Sequence, residues 1–511
     1  MKKQKSIKKN FIYNTFLTMT NFIFPLITFP YVSRILMPSG TGRVSFALSL
    51  ISYFTMLSQL GMPTYGIRTC SKVRNDREKL TRTVHELLCI NLIMCVVSYI
   101  LLALALIFVP ALKEDRQLYI IVSFTILLTS IGMEWLYKAL EQYRYIALRS
   151  IAFKFIALGA MFLLVHDQSD YIIYGFIAIF AASASNIFNF INVRKYIDLK
   201  PVGGYHIRRH LKPLAVFFAM ACATTIYTHM DTLMLGFMLT KKDVGYYNAA
   251  VRIKSLLLSI VTSLGAVLLP RSSFLIQTRQ WGKFRKVSKK ALDFVFILSS
   301  AFMLYFMLYA RYGIMLLSGG YYEPSIIPMQ IIMPTLLFIG VTNITGIQIM
   351  VPLGREKSVL FSEIVGLVVN LIINTLLIPQ MKSTGAAIGT VAAEFAVLVV
   401  QYMVMRKEMS NAFRAVSYWK IALGLTAGAL CSFWVMFLHL SNFLTLALTS
   451  VLFFGAYAVV LYVTREWLLL VLLGQLFEKL ATMPGIGRFL NTPATLKKRK
   501  EWFDAGKRVC N

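Results

Sequence analysis

Apolar runs of about 20 residues recur along the whole chain, each cut off by a short polar loop. A run of that length crosses about 30 Å of hydrocarbon as a helix. Hydrocarbon offers the backbone no partners, so spanning segments must bond internally, as helices do. Hydropathy and loop punctuation place fourteen spans. They cover 10–33, 43–66, 84–110, 117–137, 145–165, 171–193 and 213–236, then 244–270, 291–316, 326–352, 359–379, 384–405, 417–439 and 443–464. The chain therefore reads as an all-α integral membrane protein. Only 15% of its 511 residues are charged, against about 25% in soluble domains. The connections are too short for a soluble domain. The run from Phe11 is of span length and lacks a small-residue cleavage site, so it reads as a retained first helix.

The 53 Lys and Arg residues fix the orientation. With the N-terminus in the cytoplasm, 42 of them fall in inner segments, 8 in outer connections and helix ends, and 3 inside spans. Such an excess marks the cytoplasmic side. Both termini are therefore expected there, in a multi-pass protein of the cell inner membrane. The net charge of +31 is mainly this orientation signal, and no nucleic-acid partner is expected. The basic end of the tail, LKKRKEW, suits the anionic inner leaflet or plain solvent.

The stretch Asp231 to Lys254, DTLMLGFMLTKKDVGYYNAAVRIK, closes one span and opens the next. It also echoes SGTGRVSFALSL near the N-terminus, with Gly42 over Gly245 and Ala47 over Ala250. A second pairing sets Ser150 over Ser362 and Arg194–Lys195 over Arg406–Lys407. Helices 1–6 and 7–12 then read as two six-helix bundles of like orientation, a known transporter plan. The boundaries are 1–212 for the N-terminal bundle and 213–410 for the C-terminal bundle. Helices 13–14 occupy 411–464, and a basic cytoplasmic tail follows over 465–511.

Polar faces run through several spans. Asn14, Thr18, Asn21, Pro25 and Thr28 share one face of helix 1, by spacings of three and four. Such a face looks onto a wet lumen or packs on another helix, and Pro25 and Pro30 predict a kink. Thr224, Thr228 and Asp231 share a face of helix 7, with Arg252 at similar depth in helix 8, where the two could form an ion pair. Glu363, Gly366, Asn370 and Asn374 share a face of helix 11, and Glu394 lies well inside helix 12. Ionisable groups in hydrocarbon are costly and mark ion paths or buried pairs. Asp231, Glu363 and Glu394 are the ion-coupling candidates, for H+ or Na+. Arg252, Lys254 and Lys154 lie inside spans, with Arg34 and Arg311 at the rims.

Enzyme chemistry has no support. No GxxxxGK phosphate loop or HExxH helix is present, and the six cysteines lack metal-ligand spacing. No metal or other cofactor is called for.

NFIFPLITFPYVSRILMPSGTGRVSFA, GMEWLYKALEQYRYIALRS and MDTLMLGFMLTKKDVGYYNAAVRI resemble segments of the polysaccharide transporter family. That family belongs to the multidrug, oligosaccharidyl-lipid and polysaccharide exporter superfamily, and the resemblance covers roughly residues 1–465. It implies a pair of six-helix bundles with helices 13–14 peripheral, working by rocker-switch alternating access. The implied substrate is an undecaprenyl-diphosphate-linked oligosaccharide (an O-antigen or capsule repeat unit), moved from the inner to the outer leaflet. The implied partners are a polysaccharide polymerase and glycosyltransferases. Arg34, Arg252, Lys254, Lys154 and Arg311 would suit its anionic head. A cation-coupled multidrug antiporter and a lipid II flippase of the same superfamily remain as alternatives.

Overall fold

The computed structural model describes residues 7–414, 416–467 and 469–470; the side chains of 7–19, 21–22, 264–267, 269–271, 407–409 and 411 lie outside the description. Most of the expected basic tail therefore falls outside the described residues. Those described are helical, with no strand among them. The first helices are α1 (Ile7–Gln59), α2 (Met62–Val73), α3 (Arg77–Phe108), α4 (Arg116–Gly132), α5 (Glu134–Ala139) and α6 (Tyr143–Leu164). Then come α7 (Tyr171–Ile179), α8 (Asn186–Asn192), α9 (Arg208–Met238), α10 (Lys241–Gln277), α11 (Trp281–Leu308) and α12 (Ala310–Ser318). The last are α13 (Ile326–Ile332), α14 (Thr335–Thr342), α15 (Glu356–Met381), α16 (Ser383–Arg414), α17 (Tyr418–Phe433) and α18 (Asn442–Val463).

Among the described residues, 11 helical runs are long and apolar enough to cross a membrane. The pair Gly320–Ile332 and Thr335–Met350, bent by 45°, brings the number to 12 if it counts as one span. The sequence reading of about fourteen differs for identifiable reasons. Ile23–Val73 is one run over the positions of the first two expected spans. The expected span 244–270 lies in α10, part of whose side chains is outside the description.

The helical dihedrals of α1 break at Met37 (φ 56, ψ −179), whereas Pro25 and Pro30 lie within the helix. The proline that redirects the chain is thus Pro38, which disfavours helical dihedrals at the residue before it. Holding a methionine in this region costs on the order of 1–3 kcal/mol and needs contacts that enforce it. They are present: Thr41 Oγ1 donates to the Met37 carbonyl at 3.0 Å and lies 2.7 Å from the Tyr322 hydroxyl. Ser33 Oγ donates to the Leu317 carbonyl at 3.1 Å. Just beyond the break, Gly42 meets the start of α10. A Cβ there would lie 1.7 Å from the Lys241 carbonyl oxygen and 2.8 Å from the Gly245 nitrogen. The two glycines that the repeat superposes are therefore in backbone contact.

Compactness divides the chain into two units. The first takes Met1–Ala250, Leu317–Pro328 and Asn370–Gly389. Its packing includes Met62, Leu80, Leu87, Trp135 and Leu214 in one cluster, and Val32, Leu36, Met161 and Ile177 in another. Among lipid-facing helices such clusters hold by close van der Waals packing and interhelical hydrogen bonds rather than by exclusion of water. The second unit takes Val251–Leu316, Met329–Val369 and Thr390–Asn511. There α17 and α18 pair and dock on α11. The Tyr305 hydroxyl donates to the Leu446 carbonyl at 2.9 Å, and the Tyr457 hydroxyl to the Ile297 carbonyl at 3.0 Å.

Candidate functional site

Asp231, near the end of α9, is 7% exposed. The Tyr247 hydroxyl of α10 donates to one carboxylate oxygen at 2.5 Å, and the Asn374 amide of α15 to the other at 2.6 Å. The same Asn374 nitrogen also donates to Asn370 Oδ1 at 3.0 Å, one turn back on the helix. All four residues belong to the first unit.

An ionised carboxylate only accepts, so the Asn374 NH2 must face Asp231. That leaves Asn374 Oδ1 buried with no donor. Gly389 of α16 presses on this oxygen, and a Cβ there would come within 2.0 Å of it. A buried acceptor without a donor costs about 1–3 kcal/mol. With the Asp231 carboxylate, it brings acceptor oxygens of two side chains close together. Such a setting suits a proton or a hard cation, which takes oxygen ligands.

The sequence face of Asn370 and Asn374 thus converges on Asp231. Tyr247 was missed: it lies 16 positions beyond Asp231, among residues singled out only for the repeat. Thr224 and Thr228, expected to share the face of Asp231, are exposed and bond back to their own helix, at 3.1 and 2.7 Å. Glu363 (half-buried, α15) and Glu394 (6% exposed, α16) belong to the second unit.

Of the cations, Lys154 of α6 is buried and Arg34 of α1 is exposed, its guanidinium bonded to the Pro30 carbonyl at 3.1 Å. Both lie in the first unit. Arg252 and Lys254 of α10 are half-buried and Arg311 of α12 is exposed, all in the second. Pro25 is half-buried in α1, while the side chains of Asn14, Thr18 and Asn21 lie outside the described residues.

A family model described as polysaccharide biosynthesis protein matches residues 7–275, more than half of the chain. The chain belongs to this family. The stretch shared with the polysaccharide biosynthesis family takes in Arg34, Lys154, Asp231, Tyr247, Arg252 and Lys254, while Asn370 and Asn374 lie beyond it. A protein of Escherichia coli (strain K12) named as an O-antigen transporter is 27% identical over 409 residues, covering 78% of this chain and 97% of that protein. A like-named protein of Shigella dysenteriae is 24% identical over 404 residues, covering 78% and 99%. Among solved structures, the lipid II flippase MurJ in an inward closed conformation superposes with a TM-score of 0.69 at 15% identity, covering 89% of this chain and 99% of that one. An inward-facing multidrug resistance transporter of the MATE family gives 0.60 at 14% identity, covering 80% and 99%. These two structures share the all-helical fold of this chain.

Proposed function

We propose that this protein is a flippase for lipid-linked oligosaccharides of surface polysaccharide biosynthesis. It would carry an undecaprenyl-diphosphate-linked repeat unit from the inner to the outer leaflet of the cytoplasmic membrane by alternating access. The observation that carries the reading is the alignment with an O-antigen transporter over 97% of that relative's length. The physical need is plain: a diphosphate with sugars cannot cross hydrocarbon unaided, while a prenyl tail stays in lipid. Arg34, Lys154, Arg252, Lys254 and Arg311 supply cations for the head, and Arg can hold phosphate oxygens bidentately. Glycosyltransferases that build the unit and a polymerase that consumes it are the partners this role requires. The loop charge supports cytoplasmic termini.

An ion gradient drives the cycle in this reading, through Asp231 with Tyr247, Asn370 and Asn374. The support is the buried carboxylate and the donorless oxygen of Asn374 beside it. Glu363 and Glu394 are further coupling candidates.

The test is reconstitution in vesicles with a labelled undecaprenyl-diphosphate oligosaccharide and an impermeant glycosidase. The expected result is gradient-dependent transfer to the enzyme-accessible leaflet. Transfer of lipid II alone, or of a cationic drug alone, would overturn the reading in favour of a lipid II flippase or a drug antiporter.

A further inference from the structure

The first unit contains a cavity of about 350 Å³ lined by α1, α4, α9 and the start of α2. Its volume is in the usual range for small-molecule sites, which are mostly apolar with a few convergent polar groups. The polar groups here are Ser52, Thr55 and Gln59 from α1, Thr125 from α4, and Thr225 and His229 from α9. Ser52, Thr55 and Gln59 sit at spacings of three and four, so they share a helix face. Leu48, Ile51, Met56, Pro63 and Val122 supply apolar wall between them.

Three features narrow the occupant. Among the described residues, no Asp, Glu, Lys or Arg lines the cavity, so an ionised group finds no counter-charge in them. The hydroxyls of Ser52 and Thr55 donate to the Leu48 and Ile51 carbonyls, at 2.7 and 2.8 Å. Their oxygens therefore stay open as acceptors towards a ligand. Gln59 Nε2 is the reverse: a donor with no partner and almost no accessible surface, which a half-turn of the amide exchanges for the oxygen, so this side chain can offer the cavity a donor. A lipid chain fills apolar wall but cannot accept that hydrogen bond. An uncharged sugar ring meets every requirement, because it offers hydroxyl donors, ring and hydroxyl acceptors, and C–H faces for the aliphatic side chains.

We propose that this cavity binds an uncharged sugar residue of the transported headgroup, with Gln59 and Thr225 contributing to sugar selectivity. The proposal rests on the flippase reading for its biological role but not for its measurement. The full-length protein is placed in phospholipid nanodiscs free of sugar detergents. Saturation-transfer NMR is then run with methyl glucoside, methyl N-acetylglucosaminide and methyl glucuronide.

At least one neutral glycoside should receive saturation, and the glucuronide should not. Gln59→Leu and the near-isosteric Thr225→Val should each weaken that binding about tenfold, with the thermal unfolding midpoint unchanged in at least Thr225→Val. No saturation of either neutral glycoside, equal saturation of the glucuronide, or binding indifferent to both substitutions would overturn the proposal. Oligosaccharide transfer in vesicles without glycoside binding refutes this site alone. Glycoside binding without transfer refutes the flippase reading and leaves the site standing.

Discussion

Asp231 is the residue on which most depends, because two of its donors and one orphaned oxygen are organised around it. Asp231→Asn keeps the shape but turns one accepting oxygen into a donor facing another donor. It should cost about 1–3 kcal/mol of stability and abolish the dependence of transport on an ion gradient. Flipping assayed with and without imposed proton and sodium gradients checks this; a mutant that responds like wild type would remove Asp231 from coupling. Tyr247→Phe deletes one hydrogen bond to the same carboxylate. It should preserve gradient dependence and shift the apparent affinity for the driving ion about tenfold, read from a titration of ion against rate. Arg252 is the choice among the cations, because a guanidinium can hold two phosphate oxygens at once. Arg252→Ala should abolish polymer export at normal membrane abundance, and Arg252→Lys should restore only part of it. Normal export by Arg252→Ala would exclude a role in gripping the substrate.

At the scale of elements, the connector between α8 and α9 is fastened to α3 through one fully buried carboxylate. Glu86 accepts from the His206 backbone at 2.6 Å, from Arg209 at 2.6 Å and from His210 Nε2 at 2.7 Å. Tyr65 of α2 closes the set, its hydroxyl 2.7 Å from His210 Nδ1. Outside the spans, the Arg77 guanidinium hydrogen-bonded to Asp198 holds that carboxyl below its ordinary range and fastens the same connector again. Removing a buried charge from a bonded set is expensive because the partners stay desolvated. Glu86→Leu should therefore cost about 3 kcal/mol, seen as a lowered thermal midpoint in micelles, whereas Asp198→Asn, at an exposed pair, should leave that midpoint nearly unchanged. The meeting of α1 and α10 is equally specific. Gly42→Val would press its side chain on the Lys241 carbonyl and should destabilise by about 1–3 kcal/mol.

At the scale of the whole molecule, the testable property is topology. The segment 271–290, made of the end of α10, a short turn and the start of α11, carries seven Lys and Arg residues, and the proposed orientation puts it in the cytoplasm. A single cysteine introduced there should resist an impermeant maleimide in intact cells and react after permeabilisation. Labelling from outside would invert the assignment of both termini. The structural kinship with a lipid II flippase and a drug transporter means that fold alone does not choose the cargo. That choice lies with side chains such as those of the hydroxyl-lined cavity.

Sequence alone determined what depends on composition and one-dimensional period. Hydrocarbon tolerates only internally bonded backbone, so apolar runs of span length dictated a helical membrane protein before any contact was known. The repeat put Gly42 over Gly245, and helical spacing put Asn370 and Asn374 on one face. Tertiary structure decided what depends on which faces meet. It set Asn374 against Asp231, 143 positions away, and brought in Tyr247, which no spacing rule singled out. It moved the break in α1 from Pro25 and Pro30 to Met37, where contacts from Thr41 and the 317–322 turn hold the bend. It also gathered Gln59, Thr125 and Thr225 from three helices around one cavity. Periodicity records which side of a helix is polar, but only packing determines what that side faces.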